Sequence, residues 1–512
     1  MDSFENTNER ASQNKRLVRS TLVVAAPTLL SRIFGFIRDV IQAFFLGTSR
    51  SGDAFTIAYV IPNLLRRLTG EGAMTAAFIP VFTQIKKEKT KKELWRFANM
   101  FFFDLMLVMT GLTVLGIIFS PFLVKIIGYG FKDIQGKWEL TVILTRIMFP
   151  YIFLISLAAL VMAILNSFHK FFVPAFTPVL FNLAVISLAA IFAGKVEEPA
   201  YVFAAGVVLG GILQLGFQLP FLRKMGMRFT PLLSFSHPGV RKVGKLMIPG
   251  IFGVGISQIN FALSRMLAST LEEGSVSSLY FASRVEELTL GLFSIALSIV
   301  LLPSLSELAA RKEIDDMKKT LLFSFKLVTF VTFPAVMGLV ILNRPIIEVL
   351  FQRGLFDFHS TAMSSSCLFY FAFGLPFLSG VKILAPAFYS LKDTRTPVVV
   401  AFFVMISYIS SSFLLMGPLR VGGIALALSL ASVLNFFLLF YLLERKIGKI
   451  PRKEIFSFVF KSAGAAVVMG VLVWLIGRNW EKTGEIFLQK LFLLAGAIFL
   501  GMASYMILQY IV

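Results

Sequence analysis

The sequence predicts an all-α polytopic membrane protein, and three observations predict it. Of 512 residues, 57% are hydrophobic and only 15% charged, against about 45–50% and about 25% in soluble chains. The apolar residues come in runs of about 18 to 25, the length that crosses about 30 Å of hydrocarbon at 1.5 Å per residue. These runs are apolar on every face, whereas strands of a membrane β-barrel alternate apolar and polar residues. A mean hydropathy of +0.82 excludes a soluble enzyme and a disordered chain alike.

Fourteen spans are expected in order, near 21–47, 54–82, 96–127, 140–166, 173–194, 200–222, 240–270, 275–305, 321–343, 362–391, 396–417, 421–444, 456–477 and 485–511. Residues 1–20 are polar, and the apolar stretch after them runs on through Arg32 and Arg38 without a small-residue cleavage pattern, so it reads as an uncleaved first span. The net charge of +21 is distributed by topology. Connections after even-numbered spans carry Lys86, Lys87, Lys89, Lys91 and Lys92, then His169 and Lys170, then Arg223, Lys224 and Arg228, and later Arg311, Lys312, Lys392, Arg395 and Arg445 to Lys453. Odd connections are short or balanced, as in Lys195 with Glu197 and Glu198. The positive-inside rule therefore puts the N-terminus, with Lys15, Arg16 and Arg19, in the cytoplasm, and an even span count puts the C-terminus there too. No polar module is long enough to be a nucleic-acid domain, so nucleic acid is not an expected partner.

An internal repeat organises the spans. Ile79-Pro80 matches Leu302-Pro303 at an offset of 223, Ser167 to Pro174 matches Ser390 to Pro397 at the same offset, and Pro27 matches Pro249 at 222. Six spans per offset preserve orientation, which gives two parallel-repeat six-helix lobes around a central cavity. The expected division is a cytoplasmic segment 1–20, an N-lobe 21–225, a C-lobe 226–445 and two extra C-terminal helices within 446–512.

Ionisable residues inside spans are costly and mark function. Arg32, Arg38 and Asp39 flank Gly35 in the first span, where the glycine marks a possible bend. Arg66, Arg67 and Glu71 follow Pro62 in the second, and Arg284, Glu286 and Glu287 lie in the eighth. Helix counting puts Arg38 about 25 Å from the cytoplasmic entry, and Arg66 and Arg284 at comparable levels. Several Arg forks suit a phosphate or diphosphate better than Lys does. The spacings Arg67–Glu71 and Arg284–Glu287 also fit ion pairs along one helix face. Five arginines against Asp39, Asp53, Glu71, Glu286 and Glu287 sum to zero, so the argument for an anion rests on position. Arg146 and Lys382 are single cations that suit helix packing or substrate contact equally. His169, His237 and His359 lie near predicted loops without mutual spacing, so neither a metal nor acid–base chemistry is expected of them. Cys367 is the single cysteine, which excludes an internal disulfide and a thiolate cluster. No phosphate-binding glycine loop is present, so ATP is not the expected energy source.

The stretch Ser31-Arg-Ile-Phe-Gly-Phe-Ile-Arg-Asp39, with Asp53-Ala-Phe, Pro62-Asn-Leu-Leu-Arg-Arg67, Glu71-Gly-Ala and Ala77-Phe-Ile-Pro80, resembles the opening of the MurJ (MviN) lipid II flippases. Phe149-Pro-Tyr151, Leu302-Pro-Ser304 and Leu384-Ala-Pro-Ala-Phe-Tyr-Ser390 extend the resemblance over nearly the full length. The family belongs to the multidrug, oligosaccharidyl-lipid and polysaccharide exporters, and the resemblance implies a transporter of the bacterial cytoplasmic membrane rather than an enzyme. The implied cargo is lipid II, the undecaprenyl-diphosphate-linked peptidoglycan precursor, moved from inner to outer leaflet by alternating access in cell wall biogenesis. It implies Arg32, Arg38, Arg66 and Arg284 as diphosphate ligands and Asp53 and Glu287 as acidic positions, beside which Asp39 and Glu71 serve as ion-pair partners. It further implies a lipid-tail groove on the two extra helices, and membrane lipids and cell-wall synthesis proteins as partners. Some members bind sodium through carboxylates in the seventh and eleventh spans, and neither span carries one here. No cofactor is expected, and the membrane potential is available as the driving force.

Two rival readings make different demands. Another exporter of the superfamily, either an undecaprenyl-linked polysaccharide flippase or a drug-cation antiporter, shares the fold, and the antiporter needs unpaired cavity carboxylates. A membrane-embedded lipid phosphatase or glycosyltransferase needs a catalytic cluster at the interface, and the sequence offers none.

Overall fold

The computed structural model describes residues 25–66, 74–478, 480 and 486–511. Among these, all regular structure is helical. Helix α1 covers residues 25–46. It is followed by α2 (Arg50–Arg66), α3 (Met74–Glu88), α4 (Lys91–Ile118), α5 (Ser120–Ile127), α6 (Lys137–Met148), α7 (Pro150–Ser167), α8 (Phe172–Phe192) and α9 (Ala200–Lys224). Next come α10 (Pro238–Ser269), α11 (Ser275–Ala310), α12 (Ile314–Ile341), α13 (Asn343–Phe351), α14 (Phe358–Ser390), α15 (Arg395–Ile447), α16 (Arg452–Gly477) and α17 (Phe487–Ile511).

The chain forms two compact units, one comprising residues up to Leu46 with Arg50–Ala262, the other Gly47–Ser49 with Leu263–Val512. The division falls inside α10, and α16 and α17 belong with the second unit.

The internal repeat is written into the helix boundaries. At the offset of 223 expected from the proline pattern, α4 starts at Lys91 and α12 at Ile314, and α5 starts at Ser120 and α13 at Asn343. Likewise α7 ends at Ser167 and α14 at Ser390, α8 starts at Phe172 and α15 at Arg395, and α9 ends at Lys224 and α15 at Ile447. The turns repeat too: His169 and Lys392 both take positive φ, 57° and 59°. A non-glycine residue in that region is uncommon, so its recurrence marks the same helix-to-helix turn twice.

Nine helical stretches among the described residues are long and apolar enough to cross a membrane. One of them is α15, in which the non-helical Arg420 (φ 51°, ψ −135°) joins two helices. That residue separates the expected spans 396–417 and 421–444.

Local sequence sets the helix starts. Thr90 caps α4 and Glu93 reaches back to its backbone, a reciprocal capping box. Asp357 caps α14 by accepting from Ser360 N at 2.8 Å, and this bond is the main force holding its carboxyl below the ordinary carboxylate range.

In the first unit α7 packs against α3, α4 and α9, and α2 against α6. Aromatic rings fill the core where α3 and α4 meet, with Phe78 within 5.0–5.8 Å of Phe82, Phe97 and Phe101. Lys86 donates to Ser167 O at 2.9 Å, with its ammonium 4.1 Å from the Phe168 ring centroid.

In the second unit α14 packs against α11, α12 and α15, and α16 packs against α12 and α17. A polar latch fixes the last helix: Glu348 on α13 accepts from Trp480 Nε1 at 2.9 Å and from Lys490 Nζ at 2.6 Å. At the turn before α15, Asp393 pairs with Lys446 at 2.5 Å and caps Thr396. Burial works to raise the Asp393 carboxyl, and the bonds from Lys446 and Thr396 outweigh it, holding it at about 2.

Candidate functional site

The expected site residues divide between the units: Arg32, Arg38, Asp39, Asp53 and Arg66 in the first, Arg284 and Glu287 in the second. Arg67 and Glu71 lie outside the described residues, and with them the expected Arg67–Glu71 pair.

On α1, Arg38 is held by two partners. Its Nε and NH2 donate to Asp39 Oδ1 at 3.2 and 2.7 Å, and NH1 donates to Asn182 Oδ1 at 3.2 Å. The two side chains are 11% and 4% exposed. Asn182 of α8 in turn donates its Nδ2 to Ser31 O at 3.0 Å, so one amide links two turns of α1. Gly35 lies beside this amide. Residues 25–46 run as one helix through it, and a Cβ at Gly35 would stand 3.4 Å from Asn182 Nδ2. The asparagine amide packs on the helix face at the glycine, and the helix continues on either side of it. Arg32 lies on the exposed face of α1, with no hydrogen bond or ion pair among the described residues. An accessible guanidinium within a spanning helix belongs against water or a polar ligand, since facing lipid costs several kcal/mol.

On α2, Arg66 donates Nε and NH2 to Asn63 Oδ1 at 3.1 and 2.9 Å. That bond orients a half-buried guanidinium one turn from Pro62. Asp53 lies at the start of the same helix. It accepts from Lys137 Nζ of α6 at 2.8 Å, and both side chains are 1% exposed. The Lys137 ammonium also sits 4.4 Å from the Phe131 ring centroid. Asp53 is therefore one half of a buried structural ion pair.

On α11, Arg284 NH1 donates to Glu287 Oε2 at 2.7 Å, as the i,i+3 spacing predicts. The guanidinium lies 5.5 Å from the Tyr280 ring centroid. Both members stay accessible, 30% and 46% exposed, so the bridge is screened and exchangeable. Glu286 beside them is buried.

Of the single cations, Arg146 donates to Ser120 Oγ at 3.1 Å and joins α6 to α5, a packing role. Lys382 is exposed on α14 and has no hydrogen bond or ion pair among the described residues. His237 accepts from Gly239 N at 3.2 Å as a helix-start residue, His169 sits in the positive-φ turn, and Cys367 is fully buried. Among the described residues no three His, Cys, Asp or Glu are grouped to hold a metal ion.

Four residues of these arrangements escaped sequence reasoning. Asn63 and Asn182 are neutral and invisible to a search for charges. Lys137 lies just before the expected fourth span and reads as a boundary residue. Arg265, on α10 within the expected seventh span, is 2% exposed and donates NH2 to Ser283 Oγ at 3.2 Å; its place inside the span is the signal for it. Lys137 and Arg265 both correct the zero charge sum.

The family model described as "Lipid II flippase MurJ" matches residues 42–494. A relative from Vibrio cholerae serotype O1, named probable lipid II flippase MurJ, is 37% identical over 507 residues, covering 96% of this chain and 95% of the relative. The lipid II flippase MurJ of Burkholderia cenocepacia is 34% identical over 472 residues, covering 91% and 92%. A solved structure of lipid II flippase MurJ in an inward closed conformation superposes with a TM-score of 0.80 at 26% identity, covering 96% of this chain and 98% of that one. A multidrug resistance MATE transporter in an inward-facing conformation shares the fold alone, with a TM-score of 0.70 at 11% identity over 84% of this chain and 99% of that one. These relatives are transporters and not enzymes, and with a family match over most of its length and relatives of this similarity, the chain belongs to the MurJ lipid II flippase family.

Proposed function

We propose that this protein translocates lipid II from the inner to the outer leaflet of the cytoplasmic membrane by alternating access, with Arg32, Arg38, Arg66 and Arg284 binding the diphosphate. The observation that carries this reading is the state of the arginines. Arg32 and Arg284 are accessible on helices that span the membrane in this reading, Arg38 is oriented by the Asp39 carboxylate and the Asn182 amide, and Arg66 by the Asn63 amide. Guanidinium forks that are pre-oriented and not sealed off match a diphosphate bidentately. The binding step exchanges the Arg284–Glu287 contact for contacts to phosphate oxygens.

Fourteen spans with both termini in the cytoplasm follow the charge pattern. The driving force is electrical, because an anion leaving a negative-inside cell gains about 2.3 kcal/mol per charge per 100 mV. No sodium site enters this scheme. The faces of α16 and α17 that stay exposed carry Phe460, Phe492 and Phe499, apolar surface suited to the undecaprenyl tail.

The test is complementation in a bacterium depleted of its own lipid II flippase. The native chain should restore growth and shape. Arg38→Ala, Arg66→Ala and Arg284→Ala should not, at equal abundance in the membrane. Growth with all three variants would remove the arginines from the mechanism.

A further inference from the structure

Lys382 is a charge that the transport scheme leaves unused. It lies on α14, about 12 Å before the cytoplasmic end of that helix at Ser390, and it is exposed with no hydrogen bond or ion pair among the described residues. The sequence around it carries no other charge: α11 has none from 288 to 306, α14 none besides Lys382 from 360 to 390, and α15 none from 396 to 419. A lone ammonium at that depth is costly against lipid and belongs against water or a polar ligand.

Its place relative to Arg284 follows from one contact. Helices α11 and α14 pack together within the second unit, both run inward in the expected topology, and Ser294 Oγ of α11 meets Ser379 Oγ of α14 at 2.8 Å. Counting outward from that contact to Arg284 and inward to Lys382 puts the two cations about 20 Å apart along the helices. At about 100° per residue, Arg284 is turned about 80° from the contact and Lys382 about 60°, both to the same side of the seam. That side is accessible. Tyr389 is exposed on it two turns beyond Lys382, and Leu288 and Ile299 of α11 are exposed on it without a charge.

An ammonium about 20 Å from Arg284 cannot touch a diphosphate that Arg284 holds. It meets another anionic group of the same cargo, and on lipid II those groups are the carboxylates of the stem pentapeptide. The distance fits, since five extended residues span about 17 Å and a sugar separates the peptide from the diphosphate. We infer that Lys382 is a specificity-determining contact, pairing with a stem-peptide carboxylate while Arg284 holds the diphosphate. The inference rests on the reading of Arg284 as a diphosphate ligand. Two cations at this separation distinguish the complete precursor from a bare lipid diphosphate, which satisfies Arg284 alone. A point charge on a flexible stem suits a peptide end better than a rigid fork does.

The experiment measures equilibrium binding to the full chain in nanodiscs with three probes: lipid II, lipid II with its peptide carboxylates amidated, and undecaprenyl diphosphate, which carries neither sugar nor peptide. An accessible ion pair has a modest effect. Lys382→Met should therefore weaken lipid II binding about fivefold, which is about 1 kcal/mol, and leave undecaprenyl diphosphate unchanged. Lys382→Arg should keep the native affinity. The native chain should bind amidated lipid II about as weakly as Lys382→Met binds lipid II, and the variant should not tell the two apart. If Lys382→Met melts below the native protein, Lys382→Gln replaces it with the same expected loss. Native affinity for lipid II in the charge-free variants overturns the inference, and so does an equal loss for lipid II and undecaprenyl diphosphate. Arg284→Ala should weaken both lipids, and its full affinity for undecaprenyl diphosphate would instead overturn the diphosphate reading beneath.

Discussion

Asp53 is an acidic position of the family pattern, and the structure makes it half of a buried pair, so its removal offers a sharp test. At 2.8 Å from Lys137 the attraction is about 6 kcal/mol at an effective dielectric of about 20. Desolvating two ions costs several kcal/mol each, so the intact pair contributes little net stability. Removing one partner is different: a charge is then buried without compensation, at a cost of about 3–5 kcal/mol. Asp53→Leu and Lys137→Met should each lower thermal stability by that amount, measured by fluorescence-detected size-exclusion melting in detergent. The double variant should return to within about 1–2 kcal/mol of the native protein, as apolar replacements of buried pairs do. It should also translocate lipid II, because both side chains are buried against each other. A double variant that is stable but inactive would refute the structural assignment and return Asp53 to the transport site. Single variants that melt like the native protein would refute the energetic argument.

Three further outcomes follow from the geometry. Asn182→Leu removes the acceptor for Arg38 and the donor to Ser31 O; it should cost about 1–3 kcal/mol and lower lipid II affinity, read by melting and by binding. Glu348→Ala frees Trp480 and Lys490, and hydrogen exchange should rise in α17 well before the rest of the second unit. Asp393, whose folded carboxyl lies at about 2 against an ordinary 3.8, contributes stability that is present above about pH 4 and lost as pH falls toward 2. Asp393→Asn should therefore melt below the native protein at pH 6, with the difference narrowing below about pH 4 and closing near pH 2.

Much of the fold was legible because membrane spans are governed by length and apolarity, and the repeat by prolines at fixed offsets. The pairs at Ser167 and Ser390, and at Pro80 and Pro303, point to helix ends and interiors that the structure places at matching positions. Local ion pairing was legible as well, since Arg284–Glu287 follows from spacing on one helix. What spacing cannot give is a partner far along the chain. Lys137 meets Asp53 across 84 residues and Asn182 meets Arg38 across 144, and only tertiary packing creates those contacts. Gly35 shows the same limit. Its lack of a side chain suggests flexibility in isolation, and the structure continues the helix through it with the Asn182 amide packed beside it.

The central claim is that this chain moves lipid II and does so through its arginines. The direct measurement is leaflet-resolved translocation of fluorescent lipid II in proteoliposomes holding the native chain, Arg38→Ala, Arg66→Ala or Arg284→Ala, each with and without an imposed potential. The account predicts protein-dependent movement that a potential favouring outward transfer of anions accelerates and that all three variants lose while remaining folded. Equal movement by the native chain and the three variants, or none by a folded native chain, would contradict it.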